Sequence, residues 1–173
     1  MLDNIKIRQE IPSDRKKIFE LIKNTFAQAQ HTDGDEHNLV DRLRESTAFI
    51  PELSLVAEYN NEIIGHILFS KIKVGDSVQL ALAPLSVATK YQKLGIGSNL
   101  IQEGHKIAKT MGYEYSILLG YPSYYSKFGY KPAHIFGIKS PFDVPKEFYM
   151  AINLQGKSTN LNAVVQYPQE FFK

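Results

Sequence analysis

Two glycines one residue apart, Gly95 and Gly97, close the stretch Gln92-Lys93-Leu94-Gly95-Ile96-Gly97-Ser98 at the start of a helical pattern, a place where an anion can bind. Glycine lets a backbone approach a ligand closely, and the first N–H groups of a helix have no partner within it, so both favour a phosphate-like group there. A bare Gly-x-Gly ahead of a helix is also an ordinary tight turn, so its surroundings decide. A dinucleotide-binding turn needs G-x-G-x-x-G directly after a strand and an acidic residue closing the next strand. Here Ala88 to Leu94 separate Val87 from Gly95, Leu100 stands at the third glycine position, and Glu114 precedes its strand. A nucleoside-triphosphate loop fails because no Gly-Lys-Ser/Thr is present. The segment His31 to His37 holds two histidines and intervening acids, a donor set of metal-ligand type, but such polar loops are ordinarily just solvated and no metal site is expected.

The elements that would position the turn follow from apolar spacing. Ile5 to Arg8 alternates like a strand, and Pro12-Ser13-Asp14 offers a helix start before Ile18, Leu21, Ile22, Thr25 and Phe26. After the polar loop, Leu39, Val40 and Leu43 predict a second, shorter helix. Leu53 to Tyr59 and Ile63 to Phe69 read as strands joined by a hairpin turn at Asn60-Asn61, residues that tolerate positive φ. A turn at Gly75-Asp76 leads into a third antiparallel strand, Val78 to Val87. Pro84 interrupts that strand, and since proline cannot donate to a ladder, a bulge and an opening of the sheet are expected there. Beyond the turn, Leu100, Gly104, Ile107, Ala108 and Met111 share a helical face that Gly112 ends. A buried strand at Tyr115 to Leu119, a short helix near Ser123 to Phe128 and a strand near Phe148 to Leu154 complete the order β-α-α-β-β-β-α-β-α-β, an α/β (α+β) mixed sheet around one core spanning residues 1–173.

Composition narrows the function classes. The 173 residues are 43% hydrophobic and 22% charged, and 20 basic against 18 acidic side chains leave a net charge of +2 spread along the chain. That distribution argues for no nucleic acid and no membrane surface as partner. With no cysteine, thiolate metal sites and a cysteine nucleophile are excluded. A chain start without a basic, apolar, small-residue leader and without a spanning apolar run leads to the expectation of a soluble cytoplasmic protein.

The strand Leu85-Ser86-Val87 followed by Gln92-Lys93-Leu94-Gly95-Ile96-Gly97 resembles the acetyl-CoA signature of the GNAT superfamily, a strand ending in Val and then Gln/Arg-x-x-Gly-x-Gly/Ala. Tyr124-Tyr125-Ser126-Lys127-Phe128-Gly129-Tyr130 is similar to that family's Tyr-x-Lys-x-Gly-Phe segment, with Tyr130 in place of Phe, a departure expected to be harmless. Ile64 to Phe69, Gly120 to Tyr125 and Tyr167-Pro168 look like the YhbS-like group of predicted acetyltransferases. The resemblance implies the GNAT fold, a mostly antiparallel central sheet flanked by helices and splayed near Pro84. It also implies transfer of an acetyl group from acetyl-CoA, as co-substrate, to a small-molecule or peptide amine in a ternary complex. A homodimer is compatible with it. A non-catalytic acyl-CoA-binding regulatory module is the alternative, and a nucleotide-binding turn a third.

By the same resemblance, backbone N–H groups from Leu94 to Ser98 would hold the pyrophosphate within a cofactor site comprising Leu85, Val87, Gln92, Lys93, Leu94, Gly95, Ile96, Gly97 and Ser98. Leu85 and Val87 would pair with the pantetheine arm, the Val87 N–H would polarise the thioester carbonyl, and Tyr125 would protonate the departing thiolate. An acceptor with a lysine-like pKa of about 10.4 costs about 4 kcal/mol to neutralise near pH 7.4 and calls for a base. Glu58, His66, Asp33, Glu36 and His37 are the candidates, Glu58 foremost on the middle strands and His66 more readily a structural histidine. Tyr121 and Tyr124 are candidates for the acceptor pocket.

Overall fold

The computed structural model describes residues 2–27, 29, 32, 34–157 and 159–173. Strand β1 (Lys6–Gln9) leads through a 3₁₀ turn at Pro12–Asp14 into α1 (Arg15–Ala27), then α2 (Glu36–Arg44). Asp14 starts α1 by accepting the Ile11 N–H at 2.8 Å and the Arg8 guanidinium at 2.7 Å. Strands β2 (Ser54–Tyr59), β3 (Glu62–Val74) and β4 (Ser77–Val87) form the antiparallel meander. Asn60 and Asn61 both have positive φ, 50° and 63°, the signature of a two-residue type I′ hairpin that matches strand twist. Then follow α3 (Ile96–Thr110), β5 (Tyr115–Leu119), a short α4 (Pro122–Tyr125), β6 (Lys131–Pro132), β7 (Ile138–Lys139), β8 (Tyr149–Asn153) and β9 (Ala163–Gln166).

The sheet runs β1-β2-β3-β4-β5-β8-β6, and β9 pairs with the far end of β3 and with β7. Within the main path only β4 and β5 are parallel, as an intervening helical crossover requires. Two features of the strands differ from the sequence reading. Strand β3 continues five residues past Phe69, because Ile72 and Val74 remain buried in a second apolar cluster with Ala81, Tyr115 and Ile117. The two-residue strands β6 and β7 and the short β9 were not expected, being too brief to show a period of their own.

Pro84 does what a donorless residue in a strand must. The β3–β4 register passes from Phe69 opposite Leu82 to Ile67 opposite Leu85, so Ala83 and Pro84 together face Leu68 in a bulge. On its other side β4 pairs with β5 only at Leu80 and Ala81. From Leu82 onward the two strands separate while β5 continues along β8 to Leu119.

Helices α1 and α2 pack on one face through Ile18, Ile22, Val40 and Leu43 against Val56 and Leu68. Helix α3 covers the other through Ile96, Leu100, Ile101 and Ala108. Met111, expected on that buried face, is 41% exposed because it caps the helix end, and Gly112 follows at φ +89°. Two glycines set how deeply α3 sits. A Cβ at Gly104 would lie 2.2 Å from the Phe69 ring, and one at Gly65 would lie 3.0 Å from Leu100 Cδ1. Helix and sheet therefore meet backbone to side chain, which fixes the α3 N-terminus relative to β4. Among the described residues no helix is long and apolar enough to cross a membrane.

In Gly104→Ala the better helix propensity, worth about 1 kcal/mol, opposes a steric cost of about 1–3 kcal/mol. A 2.2 Å contact with a buried ring puts the cost at the upper end. Urea unfolding should show a net loss of about 1–2 kcal/mol, and a variant more stable than the parent would disprove the close seating.

Candidate active site

Helix α3 begins on Gly95, whose φ of 87° is left-handed and whose place as N-cap leaves no side chain to close the helix. Asn99 makes the first intrahelical bond, to Gly95 O at 3.0 Å, so the N–H groups of Ile96, Gly97 and Ser98 have no partner in the helix. Gly95 and Gly97 are glycine for different reasons. Around Gly95 there is open space and only φ demands it, whereas a Cβ on Gly97 would stand 2.8 Å from the Tyr124 hydroxyl. Tyr124 is held over the turn, its acidity lowered by burial with a hydrogen bond to Ser98 acting the other way. The Lys127 ammonium lies 4.5 Å from the Tyr124 ring centroid. Together with Leu85, Val87, Gln92, Lys93 and Tyr91 these groups line a cavity of about 580 Å³.

The end of β4 forms one wall of that cavity, and its hydrogen-bond parity determines what it offers. Ala88 N–H donates to Ile64 O at 2.8 Å, so Gly65 and Val87 are a non-bonded pair in the ladder, as are Ile67 and Leu85 two residues away. The main-chain groups of Leu85 and Val87 therefore point away from β3, into the gap left where β5 diverges. Val87 C=O accepts the Gln92 side-chain amide at 3.0 Å, which ties the strand end to the turn. The Val87 N–H faces the gap. A chain of amides could pair there as an added strand does.

Tyr125 stands beside this cavity. Its ring covers Gly120, where a Cβ would come within 2.6 Å of it, and it meets Tyr124 edge-on at 4.9 Å and Tyr130 at 5.8 Å. Burial, with Tyr124 adding, pushes its pKa up to about 12, so the hydroxyl keeps its proton at neutral pH. The hydroxyl of Tyr130 is fully buried between Ser116 Oγ at 2.7 Å and His105 Nε2 at 2.8 Å. A tyrosine is tolerated there because both partners are supplied.

The other expected residues scatter. Glu58 is bound to Arg8 at 3.4 Å on β2, two strands from β4, and lines no cavity described here; the structure does not bring it to the turn. His66 is wholly buried on the opposite face, its pKa lowered by burial, with Nε2 3.1 Å from Ser54 Oγ beside Glu10 and Arg44. Tyr121 is 56% exposed and packs on Phe148. Asp33 and His31 lie outside the described residues. His37 stacks edge-on against Phe19 at 4.8 Å. Glu36 lines a second cavity, of about 540 Å³, at the mouth of the β4–β5 gap. The aromatic wall of that cavity, Phe142, Tyr167, Phe171 and Phe172, carried no signal in the sequence beyond an aromatic-rich last third.

The acetyltransferase (GNAT) family matches residues 16–130. The chain is 33% identical over 140 residues to the uncharacterized N-acetyltransferase YjhQ of Escherichia coli (strain K12), covering 78% of this chain and 75% of the relative. To the uncharacterized N-acetyltransferase YhbS of the same strain it is 31% identical over 169 residues, 95% and 97% of the two chains. Among solved structures, Escherichia coli YhbS in complex with CoA superposes with a TM-score of 0.86 at 28% identity, over 98% of this chain and 92% of that one. A GNAT family acetyltransferase from Brucella melitensis in complex with acetyl-CoA gives 0.82 at 29% identity, over 98% and 99%.

His105, beneath the Tyr125–Tyr130 pair, carries a stability prediction. Burial holds its pKa down at about 4, below the ordinary value of about 6.5. Between those values the unfolded chain takes up a proton that the folded one refuses, so stability present above pH 6.5 declines as pH falls toward 4, by about 3 kcal/mol. His66 is depressed in the same sense, and Glu10, held at about 2 by His66, Arg44 and Ser54 although burial opposes it, acts only below about 4.5. His105→Gln should flatten the slope of unfolding free energy from pH 6.5 to 4.5; an unchanged slope would mean that His105 titrates normally.

Proposed function

The chain belongs to the acetyltransferase (GNAT) family, and on that premise we propose that it acetylates an amine in a ternary complex, with Tyr125 donating to the leaving sulfur. It is an acyl-CoA-dependent N-acetyltransferase, and acetyl-CoA is its co-substrate. The observation that carries the site assignment is the continuity of two sets of unpartnered donors. The main chain of Leu85 and Val87 faces the gap, and directly beyond it the uncapped N–H groups of Ile96, Gly97 and Ser98 open on the same cavity. A pantetheine arm carries amides for the first and a pyrophosphate carries charge for the second. Gln92, Lys93, Leu94 and Gly95 shape the turn between them.

Acetyl-CoA supplies the activated acetyl group as a thioester. The Val87 N–H would hold the carbonyl oxygen, and a preorganised donor costs little reorganisation as charge develops. Tyr125 reaches this chemistry protonated. A phenol near 12 yields its proton reluctantly to a thiolate whose thiol has a pKa of about 8.5, so a hydrogen bond to sulfur is its larger contribution. We treat residues 1–173 as one acyltransferase unit, because β6 and β8, which reach past the matched region, continue the sheet from β5.

Tyr125→Phe should therefore lower turnover by about tenfold to a hundredfold with near-normal CoA affinity, read by thiol release and calorimetry; unaltered turnover would return Tyr125 to a packing role. Gly95→Val and Gly112→Val impose the same backbone strain, since both glycines have φ near +90° in open space. Only Gly95→Val should weaken CoA binding, by about tenfold or more. Equal losses in both would remove the turn from the cofactor site, and CoA binding without thiol release for any amine would leave a binding module.

A further inference from the structure

The cofactor cavity holds more positive charge than its turn needs. Of the residues that line it, two are lysines, Lys93 and Lys127, and none is acidic. Neither ammonium has an ion pair with a carboxylate among the described residues. Lys93 comes from the turn itself and Lys127 from the 3₁₀ segment Ser126–Phe128 behind α4. Tyr124 joins the two places. The Lys127 ammonium lies 4.5 Å from its ring centroid, and its hydroxyl stands 2.8 Å from where a Gly97 side chain would begin.

Lys93 occupies its position against local preference. Its φ is 65°, a left-handed backbone that a long side chain avoids and that glycine or asparagine adopts at less cost. The other non-glycine residues with positive φ among those described are all asparagines, Asn4, Asn60, Asn61 and Asn162. A lysine kept in that conformation beside a ligand cavity points to work done by its ammonium. The pyrophosphate does not account for both lysines, because the unpartnered N–H groups of Ile96, Gly97 and Ser98 and the positive end of α3 already meet it. A CoA thioester carries one further anion, the monoester phosphate on the 3′-hydroxyl of its ribose, with about −1.5 to −2 charges at pH 7. With the pantetheine arm on Leu85 and Val87, the nucleotide leaves past the turn, where the two ammonium groups are.

We propose, resting on the acetyl-CoA reading of this cavity, that Lys93 and Lys127 together bind the ribose 3′-phosphate and so restrict the donor to thioesters of CoA itself. A thioester of dephospho-CoA, or of a phosphopantetheine arm on a carrier protein, offers no anion there and is the poorer donor.

The test is calorimetric titration with CoA and with 3′-dephospho-CoA. The parent should bind CoA about tenfold more tightly. Lys127→Gln and Lys93→Asn should each cut that ratio to about threefold or less by weakening CoA alone. Lys93→Asn should do so without loss of thermal midpoint, since asparagine suits the backbone at that position. Lys90→Gln removes an ammonium that lies over the Tyr91 ring and does not line the cavity, and should leave the ratio unchanged. Equal binding of the two ligands by the parent, a loss shared equally by both ligands in Lys93→Asn and Lys127→Gln, or a ratio lowered as much by Lys90→Gln would overturn the proposal. Thiol release separates the two readings. Discrimination without release from acetyl-CoA for any amine keeps the subsite and defeats transfer, release equally good from acetyl-dephospho-CoA keeps transfer and defeats the subsite, and binding of neither ligand defeats both.

Discussion

Everything at this site depends on a ladder that stops. β4 and β5 share hydrogen bonds only around Leu80 and Ala81, and past that point each strand has one neighbour instead of two. A strand so exposed ordinarily invites unwanted pairing, and native sheets cover such edges. Here the exposed edge faces inward, between two layers of helix, where a soluble cofactor can reach it and another protein's strand cannot lie flat. The bulge at Ala83 and Pro84 bends β4 out of register at the start of this stretch. One donorless residue thus converts a liability of β-structure into a binding surface.

The gap would be of little use if the helix beyond it were free to shift. Phe69 against Gly104, and Leu100 and Ile96 over Gly65, bring α3 down onto the sheet with a side chain from one element meeting the backbone of the other. The unpartnered amides at its first turn are therefore placed by core packing, not by the turn itself. Packing at protein density transmits position to within a fraction of an ångström, which loop geometry alone does not. Polar groups behind the site are held in the same manner: Tyr130, Ser116 and His105 satisfy one another where none could reach water.

Local chemistry was legible in the sequence, and long-range assembly was not. Asn60-Asn61, Pro84 and the two glycines announced a hairpin, a bulge and an uncapped helix start, because each acts through its own backbone, and the structure has all three. The strand at Tyr115–Leu119 was bounded correctly by its largely apolar run. What escaped notice depends on partners far away in the chain. Glu58 looked available until β1 brought Arg8 beside it, and Tyr124 gave no sign that its hydroxyl would lean on Gly97. The aromatic wall of the second cavity is drawn from residues 142 and 167–172, and it meets α2 where Phe171 packs on the Val40–Leu43 cluster and Arg42 binds Glu170 O, a contact 128 residues apart in sequence.

Gly97 and Tyr124 form a joint that has consequences for descent. The space a side chain would need at position 97 is filled by an oxygen atom belonging to position 124, on a different element. Neither residue is free to drift alone. A methyl group at 97 would require the Tyr124 side chain to give way, and that movement alters the mouth of the cavity. The two positions are coupled through space, so the shape of the cavity mouth is set jointly by a glycine of α3 and a phenol of α4.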